Sequence, residues 1–195
     1  MTRPARPVRL PLPRAAWAAA ALCATLLLAA AAPARAALDV GDRAPDFSLD
    51  ASLAGNVFHF GLADALKKGP VVLYFFPAAF SVGCTIEANQ FAEATDQYNR
   101  LGATVIGVSH DDLDTLKKFS VTECRKKFAV GADTDQSVMK AYDAVLALKP
   151  DYANRTSYVI APNGTILYQF TSLNPFRHVT NTLNALKAWA AVRKP

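Results

Sequence analysis

Residues 74–87 have the sequence Tyr74-Phe-Phe-Pro77-Ala-Ala-Phe-Ser81-Val-Gly83-Cys84-Thr-Ile-Glu87, in which an apolar run ends at a proline and a polar, helical pattern follows. Residues 71–77 are too few, and too rich in valine and aromatic residues, for a helix, so they predict a buried strand. Beyond Gly83, apolar or small side chains recur at the spacing of an amphipathic helix. Cys84 is therefore expected on the first turn of that helix.

The first 36 residues have the features of a secretory signal peptide. Four arginines precede an Ala-rich apolar stretch over residues 15–32, and small residues around Arg35 provide a cleavage site. The stretch is close to membrane-spanning length, so a retained anchor is the alternative. A lipid at Cys23 is not expected, because Leu22 before it is too bulky for such processing. We expect export, to a bacterial periplasm, and a single mature domain of residues 37–195 without stable membrane association.

Removal of residues 1–36 changes the charge of the chain. Five of the 21 Lys and Arg residues lie in that segment and none of the 16 acidic residues does, which leaves 16 charges of each sign. Because nucleic-acid binding needs a basic face, a formally neutral domain gives no support to it.

The rest of the chain predicts an α/β domain. Strands are expected at residues 46–49, 57–59, 104–109, 128–130, 156–161 and 165–171. Helices are expected at residues 62–68, 111–119, 136–142 and 176–192. Residues 120–127, which include Cys124, fit either a longer helix or a loop. This order predicts a mixed central sheet flanked by helices on both faces, thioredoxin-like in outline.

Cys84 is the candidate nucleophile. On the first turn of a helix, its sulfur meets unpaired backbone N–H groups and the positive end of the dipole, both of which favour a thiolate. Gly83 is expected to leave room for a small polar substrate, and Ser81 offers a hydroxyl nearby. The alternative for an isolated cysteine is a buried structural thiol.

The spacing Pro77-x-x-x-Ser81-x-x-Cys84 matches the peroxiredoxin active-site pattern, Pro-x-x-x-Thr/Ser-x-x-Cys, and the chain resembles that family. Residues 72–77, followed by Gly-Cys-Thr-x-Glu, are similar to the bacterioferritin-comigratory-protein or peroxiredoxin Q branch. The resemblance implies an antioxidant, thiol-dependent peroxidase that needs no cofactor. Its thiolate attacks hydrogen peroxide or an alkyl hydroperoxide and becomes a sulfenic acid.

The resemblance also implies roles for the residues around the sulfur. Ser81, the amide of Cys84 and Arg155 would stabilise the charge that develops across the O–O bond. Pro77 would shield the sulfur from water and over-oxidation. Glu87 is expected to orient Arg155 or the backbone rather than to transfer a proton.

The means of recycling Cys84 stays open. Many members of the branch carry a resolving cysteine five residues after the reactive one, where this chain has Asn89. In the first alternative Cys124 resolves the sulfenic acid and forms a disulfide, since its polar, basic neighbours suggest an exposed thiolate. In the second alternative, an external thiol resolves the sulfenic acid. In the third, Cys124 is inert or forms a permanent bridge to Cys84.

Other functions of the same fold are the competing hypotheses. A thiol–disulfide oxidoreductase normally has a second cysteine three positions after the first, where Glu87 stands, and a copper carrier would need one at Ala88. In a non-catalytic redox sensor, Cys84 would be oxidised stoichiometrically, without turnover.

Three isolated histidines are expected to be solvated residues at strand ends or helix starts, namely His59, His110 and His178, so no metal site is predicted. Phe80 could line the entrance and admit an alkyl hydroperoxide. The expected partners are a hydroperoxide and a thioredoxin-like or low-molecular-weight thiol. A monomer or weak dimer is expected, because the last helix is not followed by a long tail.

Overall fold

The apolar runs of the sequence form the strands of one sheet. In the computed structural model, which describes residues 37–193, the strands are β1 (Ser48–Leu53), β2 (Asn56–Gly61), β3 (Val71–Phe75), β4 (Thr104–Ser109), β5 (Ala129–Ala132), β6 (Thr156–Ile160) and β7 (Ile166–Thr171). The helices are α1 (Leu62–Leu66), α2 (Val82–Arg100), α3 (Leu113–Thr122), α4 (Ser137–Ala141) and α5 (His178–Val192). A 3-10 turn, Pro175–Arg177, leads into α5.

The sheet is mixed and has the strand order β2-β1-β5-β4-β3-β6-β7. Strands β3, β4 and β5 are parallel, whereas β1 pairs antiparallel with β5 and β6 pairs antiparallel with β3. All five residues of β3 are buried, which explains why this strand has no alternation of polar and apolar side chains. The prediction of a mixed sheet of thioredoxin-like outline is confirmed.

Each face of the sheet has its own apolar core. Leu73 and Phe75 of β3 point to the face covered by α1 and α4, where Tyr142 and Tyr158 are also buried. Val72 and Tyr74 point to the opposite face, which is covered by α2, α3 and α5. Helices therefore lie on both faces, as predicted, and Cys84 belongs to the second core.

Several element boundaries differ from the predicted ones. Strand β3 ends at Phe75, and Pro77 belongs to the loop that follows. Helix α3 begins after Asp112, whose side chain accepts a hydrogen bond from the Thr115 amide at 2.8 Å, and it continues to Thr122. The uncertain segment 120–127 is thus helical at its start and a turn thereafter. Helix α5 begins at His178, since the chain before it forms the 3-10 turn.

The predicted signal peptide and the charge change that follows from it fall outside residues 37–193. Within that range, no helix is long and apolar enough to cross a membrane.

Candidate active site

The loop between β3 and α2 is fixed by the end of the neighbouring strand β4. The Phe76 amide donates to the Val108 carbonyl at 3.1 Å. The carboxylate of Asp111 then accepts from the Ala79 amide and from the Ser109 hydroxyl, each at 2.7 Å. Sequence reasoning assigned Asp111 to a helix start and missed this role. The two strands that it joins are distant in the chain, and only their parallel pairing brings them together.

Cys84 is the third residue of α2, as predicted, and its side chain is buried. Ser81 is the N-cap residue, one turn earlier, and its carbonyl accepts from the Thr85 amide at 2.9 Å. The Ser81 hydroxyl makes no cap hydrogen bond and is exposed, so it is available to a ligand. Phe80 is 47% exposed and has a φ of 63°, which is consistent with its predicted position at the entrance.

Arg155 directly precedes β6 and reaches Cys84 across the first turn of α2. Its Nη2 lies 3.4 Å from the Cys84 sulfur, its Nη1 donates to Glu87 Oε2, and its Nε donates to the Leu173 carbonyl at 3.1 Å. The guanidinium is buried, so these partners replace its water. A buried cation with fixed partners keeps its charge pointed at the sulfur.

Gly83 leaves room for the guanidinium of Arg155. A β-carbon at this position would lie 2.9 Å from Arg155 Nη2. That Gly83 also leaves room for a substrate stays a prediction. Glycine is needed here because Arg155 passes directly over the helix backbone.

Behind Arg155 lie two buried titratable side chains. Glu87 is wholly buried, and burial raises its pKa to about 8, although the charge of Arg155 opposes that shift. His178, at the start of α5, has its Nδ1 3.5 Å from Glu87 Oε1. The prediction that His178 is solvated was wrong, since its side chain is completely buried. The predicted role of Glu87 in orienting Arg155 agrees with their ion pair.

The sequence pattern of the AhpC/TSA family matches residues 40–169, two-thirds of the chain. The chain belongs to the AhpC/TSA family. Peroxiredoxin Q of rice chloroplasts is 32% identical over 123 residues, which cover 63% of this chain and 56% of the rice protein. A Helicobacter pylori protein named as a bcp peroxiredoxin is 30% identical over 154 residues, 76% of this chain and 98% of that protein. The resemblance to peroxiredoxins is thereby confirmed.

A solved structure agrees with this relationship. Peroxidoxin BcpB of Mycobacterium tuberculosis superimposes with a TM-score of 0.70 at 28% identity, over 77% of this chain and 97% of that one. The match to the rice protein, in contrast, spans only slightly more than half of the relative's length. The peroxiredoxin fold and family of this chain are established by the family match, the Helicobacter pylori relative and the solved structure together.

Cys124, the second cysteine of this AhpC/TSA domain, is not exposed, although the polar residues beside it in the sequence suggested that it would be. Cys124 is completely buried, and burial, followed by the charge of Glu123, raises the pKa of its thiol well above the usual value. The prediction of an exposed cysteine in thiolate form was wrong, because the polar side chains around it face outward while the sulfur faces the core. Cys84 and Cys124 are both free thiols, so the structure contains no permanent bridge between them.

Asn89, which replaces the resolving cysteine of the branch, connects the two cysteine-bearing segments. Its Nδ2 donates to the Thr85 carbonyl at 2.8 Å and to Glu123 Oε2 at 3.1 Å. The residue before Cys124 is thereby held against the helix that carries Cys84.

The other two histidines differ from His178. His59 is exposed beside Asp50, as predicted, whereas His110 is partly buried and packs edge-on against Tyr152. In the part of the chain that the structure describes, no three His, Cys, Asp or Glu side chains are grouped to hold a metal ion.

Proposed function

We propose that this domain is a thiol-dependent peroxidase that reduces hydrogen peroxide and alkyl hydroperoxides. One observation carries the proposal, namely the buried guanidinium that lies 3.4 Å from the Cys84 sulfur and is held there by Glu87 and the Leu173 carbonyl. A fixed positive charge stabilises a thiolate and the negative charge that develops on a peroxide oxygen. A structural cysteine needs no such partner.

The reaction follows from these contacts. The Cys84 thiolate attacks one oxygen of the hydroperoxide, so that an S–O bond forms and the O–O bond breaks. The leaving oxygen takes the bonding pair and, from the solvent, the proton that the Cys84 thiol had released there, and departs as water or an alcohol. Sulfur is oxidised by two electrons to a sulfenic acid, while the peroxide is reduced by two. Arg155, the Cys84 amide and the Ser81 hydroxyl are the donors proposed to stabilise the charge, and Pro77 shields the sulfur.

The test is turnover of hydrogen peroxide with excess dithiothreitol as reductant. We expect catalytic consumption that is abolished in Cys84→Ser and lowered ~100-fold or more in Arg155→Gln. The exposed residue Arg177 provides a matched control, since Arg177→Gln removes an arginine of the same domain outside the site. Stoichiometric consumption of peroxide would instead support a redox sensor. Turnover that survives Cys84→Ser would reject the proposal.

For recycling, we propose that Cys124 attacks the Cys84 sulfenic acid once the turn that carries it opens. Arg125 and Lys126, directly after Cys124, have φ values of 50° and 60°, a left-handed conformation that costs energy in residues other than glycine. The turn is tied to α2 by the Asn89–Glu123 hydrogen bond and by an exposed ion pair between Arg125 and Glu93. Each tie contributes on the order of 1 kcal/mol, so the turn can open transiently.

The alternative for recycling is resolution by an external thiol. One equivalent of peroxide followed by thiol mapping distinguishes the two routes. A Cys84–Cys124 disulfide supports resolution by Cys124. A persistent Cys84 sulfenic acid with Cys124 still open to alkylation after unfolding excludes it.

The cellular setting rests on the sequence alone. The N-terminal arginines and apolar stretch support export to a periplasm, with a thioredoxin-like protein or small thiol as reductant and a monomer or weak dimer as the working form. N-terminal sequencing of the protein recovered from a periplasmic fraction tests cleavage after residue 36. Recovery of an uncleaved chain with the membrane would contradict it.

A further inference from the structure

The inner side of the Arg155–Glu87 ion pair is closed by His178. The imidazole Nε2 lies 2.9 Å from the Ser172 carbonyl oxygen. Its Nδ1 lies 2.8 Å from the Ser157 hydroxyl and 3.5 Å from Glu87 Oε1. The histidine is therefore enclosed on both ring nitrogens by residues of this chain.

These partners fix the hydrogens of the ring. A carbonyl oxygen only accepts hydrogen bonds, so Nε2 must carry a hydrogen. In a neutral ring Nδ1 then has a lone pair, which accepts from the Ser157 hydroxyl. Nδ1 also lies 3.5 Å from Glu87 Oε1, a buried oxygen without a hydrogen-bond partner among the described residues. Two acceptor atoms this close repel unless one of them gains a proton.

The charges of the site require the same proton. Among residues 37–193, Arg155 is the one cation bonded to the two acids Cys84 and Glu87, and all three side chains are buried. If both acids were ionised, the site would bury a net negative charge, which is costly in a medium of low dielectric. One proton therefore stays in the site when Cys84 is a thiolate, and the unpartnered Glu87 oxygen is the place for it.

The other groups that face Glu87 do not supply a charge. From β3 and α2 come the phenols of Tyr74 and Tyr98, and burial raises the pKa of each above its ordinary value, so both are neutral. From α5 comes His178, whose pKa burial lowers to about 4. Since burial raises the pKa of Glu87 to about 8, the proton belongs on the carboxyl group.

We propose that Glu87 and His178 together hold one proton behind Arg155 while Cys84 is a thiolate. This rests on the proposed function, in which the thiolate is the reactive form. As the Cys84 S–H bond breaks, the electron pair stays on sulfur and the proton passes to water, while the Glu87 carboxylate takes a proton from water. The charge of Arg155 is then directed to sulfur. His178 is a positioning residue that acts through Glu87 and Arg155.

The test is the pH profile of Cys84 alkylation by iodoacetamide, followed at the Cys84 peptide by mass spectrometry. In His178→Asn the amide donates to Glu87 and keeps it ionised, so the profile should shift upward by about one pH unit, a ~10-fold slower reaction at neutral pH. In Glu87→Gln a permanently neutral amide replaces the carboxyl group, and the profile should shift downward. The double variant should match Glu87→Gln, because His178 acts only through Glu87.

The exposed histidine His59 provides the matched control, since His59→Asn should leave the profile unchanged. A second measurement is the infrared C=O band of a buried protonated carboxyl, expected in the wild type and absent in Glu87→Gln. A folded His178→Asn variant with the wild-type profile, or an upward shift in Glu87→Gln, overturns the proposal. Alkylation uses no peroxide, so the pH profile can be interpreted even if the peroxidase assay fails.

Discussion

A β-carbon at Gly83 would lie 2.9 Å from Arg155 Nη2, closer than such atoms approach in folded proteins. The end of a free arginine side chain could move aside at little cost. Arg155 is not free, because its Nε is bonded to the Leu173 carbonyl and its Nη1 to Glu87. The group that must yield is the Nη2 that faces the sulfur.

Gly83→Ala is therefore expected to separate activity from stability. Displacement of Nη2 from Cys84 should lower kcat/KM ~10- to 100-fold, whereas alanine stabilises a helix by up to ~1 kcal/mol relative to glycine. Peroxide turnover and urea unfolding measure the two effects. The neighbouring exposed residue supplies a control, since Val82→Ala should retain full turnover. Normal turnover in Gly83→Ala would show that the guanidinium has room to move.

Asp111→Asn tests the anchor of the active-site loop. Oδ2 of Asp111 accepts both hydrogen bonds, and the amide oxygen of asparagine would accept them without the negative charge that strengthens them, so ~1–2 kcal/mol of stability should be lost. Turnover should fall with it, because residues 77–81 lose their fixed position. Asp114→Asn is the control, as Asp114 forms an exposed pair with Lys117, and the loss of that pair should cost under ~0.5 kcal/mol. Equal stability of the two variants would contradict the anchoring role.

The strand, helix and cysteine of the site could be predicted because they are contiguous in sequence. Residues 71–87 contain the apolar run, the proline and the helix start, so local periodicity is enough to place Cys84. Arg155 was found only through the family pattern. Asp111, which anchors the active-site loop, and His178, which lies beside Glu87, could not be found. They reach the site only when β3 pairs with β4 and α5 packs on the sheet.

Cys124 shows why local composition misled. Its flanking residues are charged, which suggests exposure, yet its amide donates to the Phe119 carbonyl at 3.0 Å and continues the buried side of α3 past the helix end. The direction of one side chain in a turn depends on backbone angles at Arg125 and Lys126 that composition does not reveal.

Tyr74→Phe should be neutral or stabilising. The Tyr74 hydroxyl is buried without a hydrogen-bond partner in residues 37–193, while its ring stacks on Phe91 at 4.3 Å. Phenylalanine keeps the stacking and removes the unpaired polar group, so the free energy of unfolding should rise by up to ~1 kcal/mol. Gly107→Ala should do the opposite, because its β-carbon would lie 2.6 Å from Tyr74 Cζ. A marked loss of stability in Tyr74→Phe would mean that the hydroxyl has a bound partner.

The free energy of unfolding should depend on pH through the titration of Glu87 and His178. The pKa of Glu87 is raised from 4.5 to about 8, so its contribution is present at low pH and is lost as pH rises toward 8. The pKa of His178 is lowered from 6.5 to about 4, so its contribution is present above pH 6.5 and is lost as pH falls toward 4.

Between about pH 4.5 and 6.5, the loss of stability from Glu87 and the gain from His178 with rising pH oppose each other. The free energy of unfolding is therefore predicted to be nearly constant in that range. Above it, stability should fall by ~2 kcal/mol up to pH 8. Urea unfolding at several pH values measures this. In Glu87→Gln the fall above that range should disappear, and its persistence would assign the slope to other groups.

Asn89→Ala should speed the formation of the Cys84–Cys124 disulfide. The variant removes the 3.1 Å hydrogen bond to Glu123, which holds the turn of Cys124 against α2. A hydrogen bond to a charged group contributes ~1.5 kcal/mol, so the open turn should become ~10-fold more populated. Stopped-flow mixing with one equivalent of peroxide, followed by acid quench and mass analysis, gives the rate of disulfide formation. Gln90→Ala, at the next position of the same helix, controls for the change in α2 itself. If resolution comes from an external thiol, neither variant will form the disulfide, and the rate of dithiothreitol-dependent turnover will be the same in both.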